Sequence, residues 1–141
     1  MDNPRMAYVV ALVLAAAPAF CAAGDQALDT AAAAKGQVTF TRFCVSCHGP
    51  AGKGDGSIAG DLRVPVPDLT EMANRNAGKY PYDRVTRVIT TAELVRGHGT
   101  VEMPAWGDVF KKTRGTDEAT IEAAIRDLNH YIWSLQKPPR K

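Results

Sequence analysis

Cysteine is scarce in this 141-residue chain, with three in all, at positions 21, 44 and 47. The close pair has no second Cys/His pair at the distance a structural zinc site requires, so that class is set aside. An excess of charge is lacking too. Seventeen Lys and Arg against fifteen Asp and Glu leave a net charge of +2, too little for the basic footprint of a nucleic-acid binder. No segment alternates as a half-buried strand does, which removes the βαβ setting that a thioredoxin-like Cys-x-x-Cys pair needs. Past the first two dozen residues there is no apolar run long enough to span a bilayer. There is also no internal repeat, and no low-complexity tract beyond the alanines around 27–34. The glycine-rich stretch from His48 to Gly56 lacks the P-loop pattern and a strand-to-helix setting, so it reads as a flexible turn rather than a phosphate cradle. No acid/base constellation argues for turnover of a substrate.

What is present begins with an export-like leader. Arg5 and the amino terminus outweigh Asp2, Met6–Ala17 is apolar, and Cys21-Ala22-Ala23 offers an A-x-A-like cleavage site before Gly24. Residues 1–23 are therefore expected to be a cleaved signal peptide, and the mature protein periplasmic. An uncleaved membrane anchor is the alternative, since Met6–Gly24 carries no charge; Pro18 and the alanines count against it. Cys21 as a lipidation site is disfavoured by Pro18 and Phe20 before it. Cleavage would remove Cys21 and leave no thiol outside the close pair. Residues 24–34 read as a flexible linker, 35–137 as one domain with one core, and 138–141 as a basic tail.

The close pair carries the chemistry. Cys44-Val45-Ser46-Cys47-His48 matches the attachment site of a c-type haem. Two thiols three positions apart each add to one haem vinyl group as a thioether, and one turn of backbone reaches both. The next residue then lies under the ring, where an imidazole nitrogen meets iron. For the other axial position the candidate is Met103, in the loop Glu102-Met103-Pro104-Ala105-Trp106-Gly107. Pro104 stiffens that loop by fixing φ, and a neutral thioether raises the potential by favouring ferrous iron. His98, between Gly97 and Gly99, is the rival and would give bis-His ligation. Met72 reads as a packed residue, and His130 as structural or exposed.

Three helices are predicted. The first covers about Ala31–Phe43, where Gly36, Phe40 and Cys44 share a face. Glycine weakens a helix, so Gly36 marks a place where another helix approaches closely. A shorter helix is expected over Tyr82–Thr90, with Val85, Val88 and Ile89 inward. The last helix starts at a Thr116 cap, carries Asp117 and Glu118 in its first turn, and ends before Pro138-Pro139. Its apolar stripe is Ile121, Ile125, Leu128, Ile132 and Leu135. Asp68–Asn74 suits a short helical turn. The fold class is all-α.

Taken in order, Cys44–His48, Met103–Gly107 and the closing Leu128-Asn129-His130-Tyr131-Ile132 resemble bacterial class I c-type cytochromes, over about residues 35–137. The resemblance implies the cytochrome c fold, several short helices wrapped around one covalent haem c, with the first and last helices crossing. It implies that Gly36 and Phe40 meet Leu128 and Tyr131 there. It also implies that the Pro67 carbonyl (Pro65 being the neighbouring alternative) accepts a hydrogen bond from the non-ligating nitrogen of His48. Leu69 then walls the haem, and Trp106 approaches it or a propionate. The stretch Leu69–Val101 is longer than in the smallest members and carries Arg75, Lys79, Arg84, Arg87 and Arg96, either a solvated helix or a cationic docking face. The implied function is electron transport between a redox donor and acceptor by one Fe(III)/Fe(II) haem held by Cys44, Cys47, His48 and Met103, in a protein monomeric when free. A cytochrome subunit of a dehydrogenase or terminal oxidase complex in a respiratory chain is the alternative, and a haem sensor the third class. A membrane would be met only through such a complex or an uncleaved anchor.

Overall fold

The computed structural model describes residues 26–91, 103–115 and 117–140. Thr30–Phe43 form helix α1. Its N-cap is Asp29, whose carboxylate accepts from the amides of Ala31 and Ala32, both at 2.9 Å. Two donors that a helix start leaves open are thereby satisfied. This corrects the linker boundary, because residues 30–34 of the expected 24–34 linker belong to the helix. Alanine is the strongest helix former, and Ala32 and Ala33 are small enough to lie buried at the helix contact.

The chain continues through Cys44 into a single turn, α2, Val45–His48. Short 3₁₀ turns follow at Ala59–Asp61, Leu69–Glu71 and Asn74–Asn76. Helix α3 is Tyr82–Thr91, with Val85 and Ile89 buried as expected and Val88 half-buried. Helix α4, Trp106–Arg114, begins inside the segment expected to be a loop, so Trp106 and Gly107 are corrected from loop to first helical turn. Its ring pair explains it. Trp106 and Phe110, four apart on one face, lie 5.9 Å apart, and Phe43 of α1 meets them at 5.5 and 5.6 Å. Burying these rings outweighs the weak propensity of the helix's first residues. Gly107 lets α4 approach α3, since a Cβ there would stand 2.7 Å from the Thr90 carbonyl oxygen.

Helix α5, Glu118–Ser134, is capped by Asp117, which accepts from the amide and hydroxyl of Thr120. The cap thus falls one residue after Thr116, which lies outside the described residues. Helices α1 and α5 form the main contact. A Cβ on Gly36 would lie 1.9 Å from the Asp127 carbonyl oxygen and 2.9 Å from the Leu128 Cα, so backbone meets backbone at that point. Above it Phe40 packs on Tyr131 with ring centroids 5.1 Å apart. The predicted close approach at Gly36 is therefore the helix crossing itself. At the other end the Asp29 amide donates to Nδ1 of His130, 3.1 Å away, so His130 is a buried structural acceptor.

One buried polar group ties α3 to α5. Asn129 is fully buried, accepts from the Tyr80 hydroxyl at 2.6 Å, and donates to the Tyr82 carbonyl and the Thr86 hydroxyl at 3.0 and 2.7 Å. Its amide is satisfied on both sides, which makes the burial tolerable. The apolar core gathers Phe40, Leu69, Val85, Ile89, Phe110 and Leu128. All described secondary structure is helical, and no described helix is long and apolar enough to cross a membrane.

Candidate cofactor site

Between α1, α3, α5 and the chain on either side of them lies an open cleft of about 280 Å³, or about 1080 Å³ with its mouth included. Its walls are mostly apolar. Phe40, Val85, Ile89, Leu128 and Ile132 line it, and into the same walls the fold brings Cys44, His48, Pro67, Leu69, Met103 and Trp106. Six of the seven site residues expected from sequence therefore converge. The seventh, Cys47, is half-buried on α2 and does not line the cleft. Further groups join them at the wall. Met72 presents a second thioether, and Arg75, Asn76 and Arg84 stand at the wall although all three are exposed. Arg75 and Asn76 come from the 3₁₀ turn Asn74–Asn76 and Arg84 from α3. His98 and Arg96 lie outside the described residues.

The loop after His48 braces the motif. Gly49, Gly52 and Gly54 all have positive φ, which glycine adopts without strain. Gly54 donates its amide to the His48 carbonyl at 2.9 Å, and a Cβ there would sit 2.3 Å from the Val66 carbonyl oxygen. Gly56 lies against the backbone of Ser46 and Cys47, while Leu69 donates its amide to Gly52 at 2.7 Å. The loop thus presses the Val66–Leu69 segment beside the histidine.

The electrostatics fit a neutral imidazole and unionised sulfur. Burial pulls the His48 pKa below its ordinary value, and the Pro67 carbonyl pushes back. Nδ1 is buried and meets no partner at full hydrogen-bond geometry, so Pro67 acts on the ring from longer range. Burial, with Cys47 nearby, pushes the Cys44 thiol up to about 12. Among the described residues no three His, Cys, Asp or Glu side chains group so as to hold a metal ion. What the cleft does offer is an apolar volume edged by a thiol, an imidazole and thioethers. That donor set suits a large apolar cofactor tethered at its rim and liganded at its centre.

The cytochrome c family model matches residues 33–136, which is most of the chain. The chain belongs to the cytochrome c family. Its all-α architecture is the cytochrome c fold, and it is a c-type cytochrome, a haem-based electron carrier with haem c held covalently. Neither the curated proteins nor the solved structures gave a match. The apolar walls, the imidazole and the thioethers fit a haem group, with Cys44 at the rim and Cys47 on the adjoining turn.

Proposed function

We propose that the mature protein is a bacterial, periplasmic class I cytochrome that carries single electrons between a redox donor and acceptor through one haem c. The observation that supports it best is the meeting of Cys44, His48 and Met103 in one apolar cleft. When bound, the haem supplies the Fe(III)/Fe(II) couple. Cys44 and Cys47 would tether it, and His48 and Met103 would hold its iron. Burial keeps His48 neutral and so able to donate its lone pair, while Pro67 biases which ring nitrogen carries the proton. Phe40, Leu69, Leu128 and Ile132 exclude water from the centre, which together with the thioether favours the reduced state. Arg75 and Arg84, exposed at the cleft wall, suit an acidic redox partner.

Intact mass of the exported protein tests the tether and the leader together. A chain starting near Gly24 and carrying one haem is expected, and a full-length apoprotein overturns both. Met103→Ala should abolish the weak long-wavelength ferric band that reports iron–sulfur bonding and lower the potential. If His98→Ala does this and Met103→Ala does not, His98 is the ligand.

A further inference from the structure

The last residues of the chain grip one wall of the cleft. The Gln136 side chain bridges the turn at Leu69–Glu71 and its continuation. Its Nε2 donates to the Leu69 carbonyl at 2.8 Å and to the Ile132 carbonyl at 2.9 Å, and its Oε1 accepts from the Ala73 amide at 2.9 Å. One side-chain amide thus binds α5 to both ends of a five-residue stretch. Next to it the Lys137 amide donates to the Thr70 carbonyl at 2.9 Å. Its ammonium lies 2.8 Å from Glu71 and 3.5 Å from Asp68. The Arg140 guanidinium meets the second Glu71 oxygen at 2.8 Å, and its amide donates to the Asn74 side chain at 3.2 Å. Asn74 in turn donates to the Pro138 carbonyl at 3.4 Å.

The gripped stretch carries two side chains of the cleft wall, Leu69 and Met72. Its other side is held by the Gly52 carbonyl, so Leu69 is fixed between the glycine loop and the chain end. Residues 137–140 lie past the end of the family match at 136. Lys137 closes the expected domain, and residues 138–140 belong to the tail, for which composition suggested only basicity.

We propose that Gln136 and residues 137–140 act as a clasp that positions the Leu69–Met72 wall against the cofactor, making Gln136 a positioning residue for the redox centre. It rests on the reading that this cleft takes haem c. The physical reason is that Leu69 carries no polar handle of its own, so its place depends on backbone bonds at Leu69, Thr70 and Ala73. Removing the Gln136 amide leaves the Leu69 carbonyl and the Ala73 amide without those partners. The turn then opens more often, and water reaching the centre favours the more charged ferric form.

The test uses the holoprotein, with Gln136→Leu, Gln136→Glu and a chain ending at Gln136 beside the parent. Amide hydrogen exchange, the reduction potential and intact mass are read on each. In Gln136→Leu the Ala73 amide should exchange at least tenfold faster while the amides of α1 keep their protection, and the potential should fall. Gln136→Glu keeps an acceptor for Ala73 and should restore most of its protection. Unchanged Ala73 exchange overturns the clasp. So does an unchanged potential, or a uniform acceleration of all amides, which marks a merely structural role. If Gln136→Leu yields no holoprotein, the shortened chain decides, with faster exchange at Ala73 and a lower potential expected and parent values refuting. A parent without haem by mass overturns the cofactor reading instead, while the exchange result still reads the clasp.

Discussion

Gly36→Ala separates two physical effects that pull in opposite directions. On an exposed helix face the change stabilises by about 0.5–1 kcal/mol, because alanine loses less backbone freedom on folding. Here the new Cβ would stand 1.9 Å from the Asp127 carbonyl oxygen, about 1.5 Å short of the 3.4 Å at which ordinary contact begins. The obstacle is backbone on a long helix, so no side chain can swing aside. Helices α1 and α5 must separate, and Phe40 and Leu128, both essentially fully buried, lose contact with them. Overpacking of this kind costs about 1–3 kcal/mol, occasionally more. The backbone clash puts this site at the upper end, about 2–4 kcal/mol after the propensity gain. For a domain of this size, at about 4 °C per kcal/mol, that lowers Tm by about 8–16 °C. Thermal and urea unfolding of the holoprotein, followed by far-UV circular dichroism, reads it directly. An alanine variant as stable as the parent, or more so, would refute the close crossing.

Asn129→Leu keeps volume but strips the partners of Tyr80, Tyr82 and Thr86; the expected loss is about 2–3 kcal/mol, and a parent-like urea midpoint would contradict it. Acid should weaken the tail contact. The hydrogen bond from Lys137, then that from Asn74 and the charge of Arg140, hold Glu71 below its ordinary 4.5 against some burial. A depressed carboxyl stabilises fully above the unfolded value and loses this as pH falls through the folded one. Stability measured from about pH 5 to pH 3 should therefore fall less steeply in Glu71→Gln than in the parent; equal slopes would remove Glu71 from the account. Electron-transfer rates with an acidic partner should drop as salt rises, since exposed charges are screened beyond about 8–10 Å. A rate flat with salt would discard a cationic face at Arg75 and Arg84.

The helical skeleton was legible where one signal dominated. The stripe of α5 and the spacing of Gly36, Phe40 and Cys44 each pointed to a buried face, and the faces do meet. Cys44–His48 announced its chemistry because few other uses explain two thiols and an imidazole at that spacing. Helix α4 was missed because Gly107 and the preceding Pro104 read as loop residues, while the pairing of Trp106 with Phe110 needs Phe43, far away in sequence, to make sense. Helix α1, expected over about Ala31–Phe43, begins one residue earlier at Thr30, where the Asp29 cap sets its start. The tail contact had no local signature at all. Gln136 and Lys137 find partners more than 60 residues away, and a polar side chain carries no mark of whether it will face water or a distant carbonyl.

The crossing of α1 with α5 also bears on when the protein can come into being. The Asp29 amide and the His130 ring that receives it are 101 positions apart, and Gly36 waits for Asp127. In chain order the attachment motif precedes α5, the helix that packs on α1 beside it. A nascent chain stopped before Glu118 contains Cys44, Cys47 and His48 but not Leu128 or Ile132 to close over them. Such a chain lacks the α5 wall of the cleft. Closing so long a loop carries an entropic cost that the packing of α1 on α5 must offset before the cleft is complete.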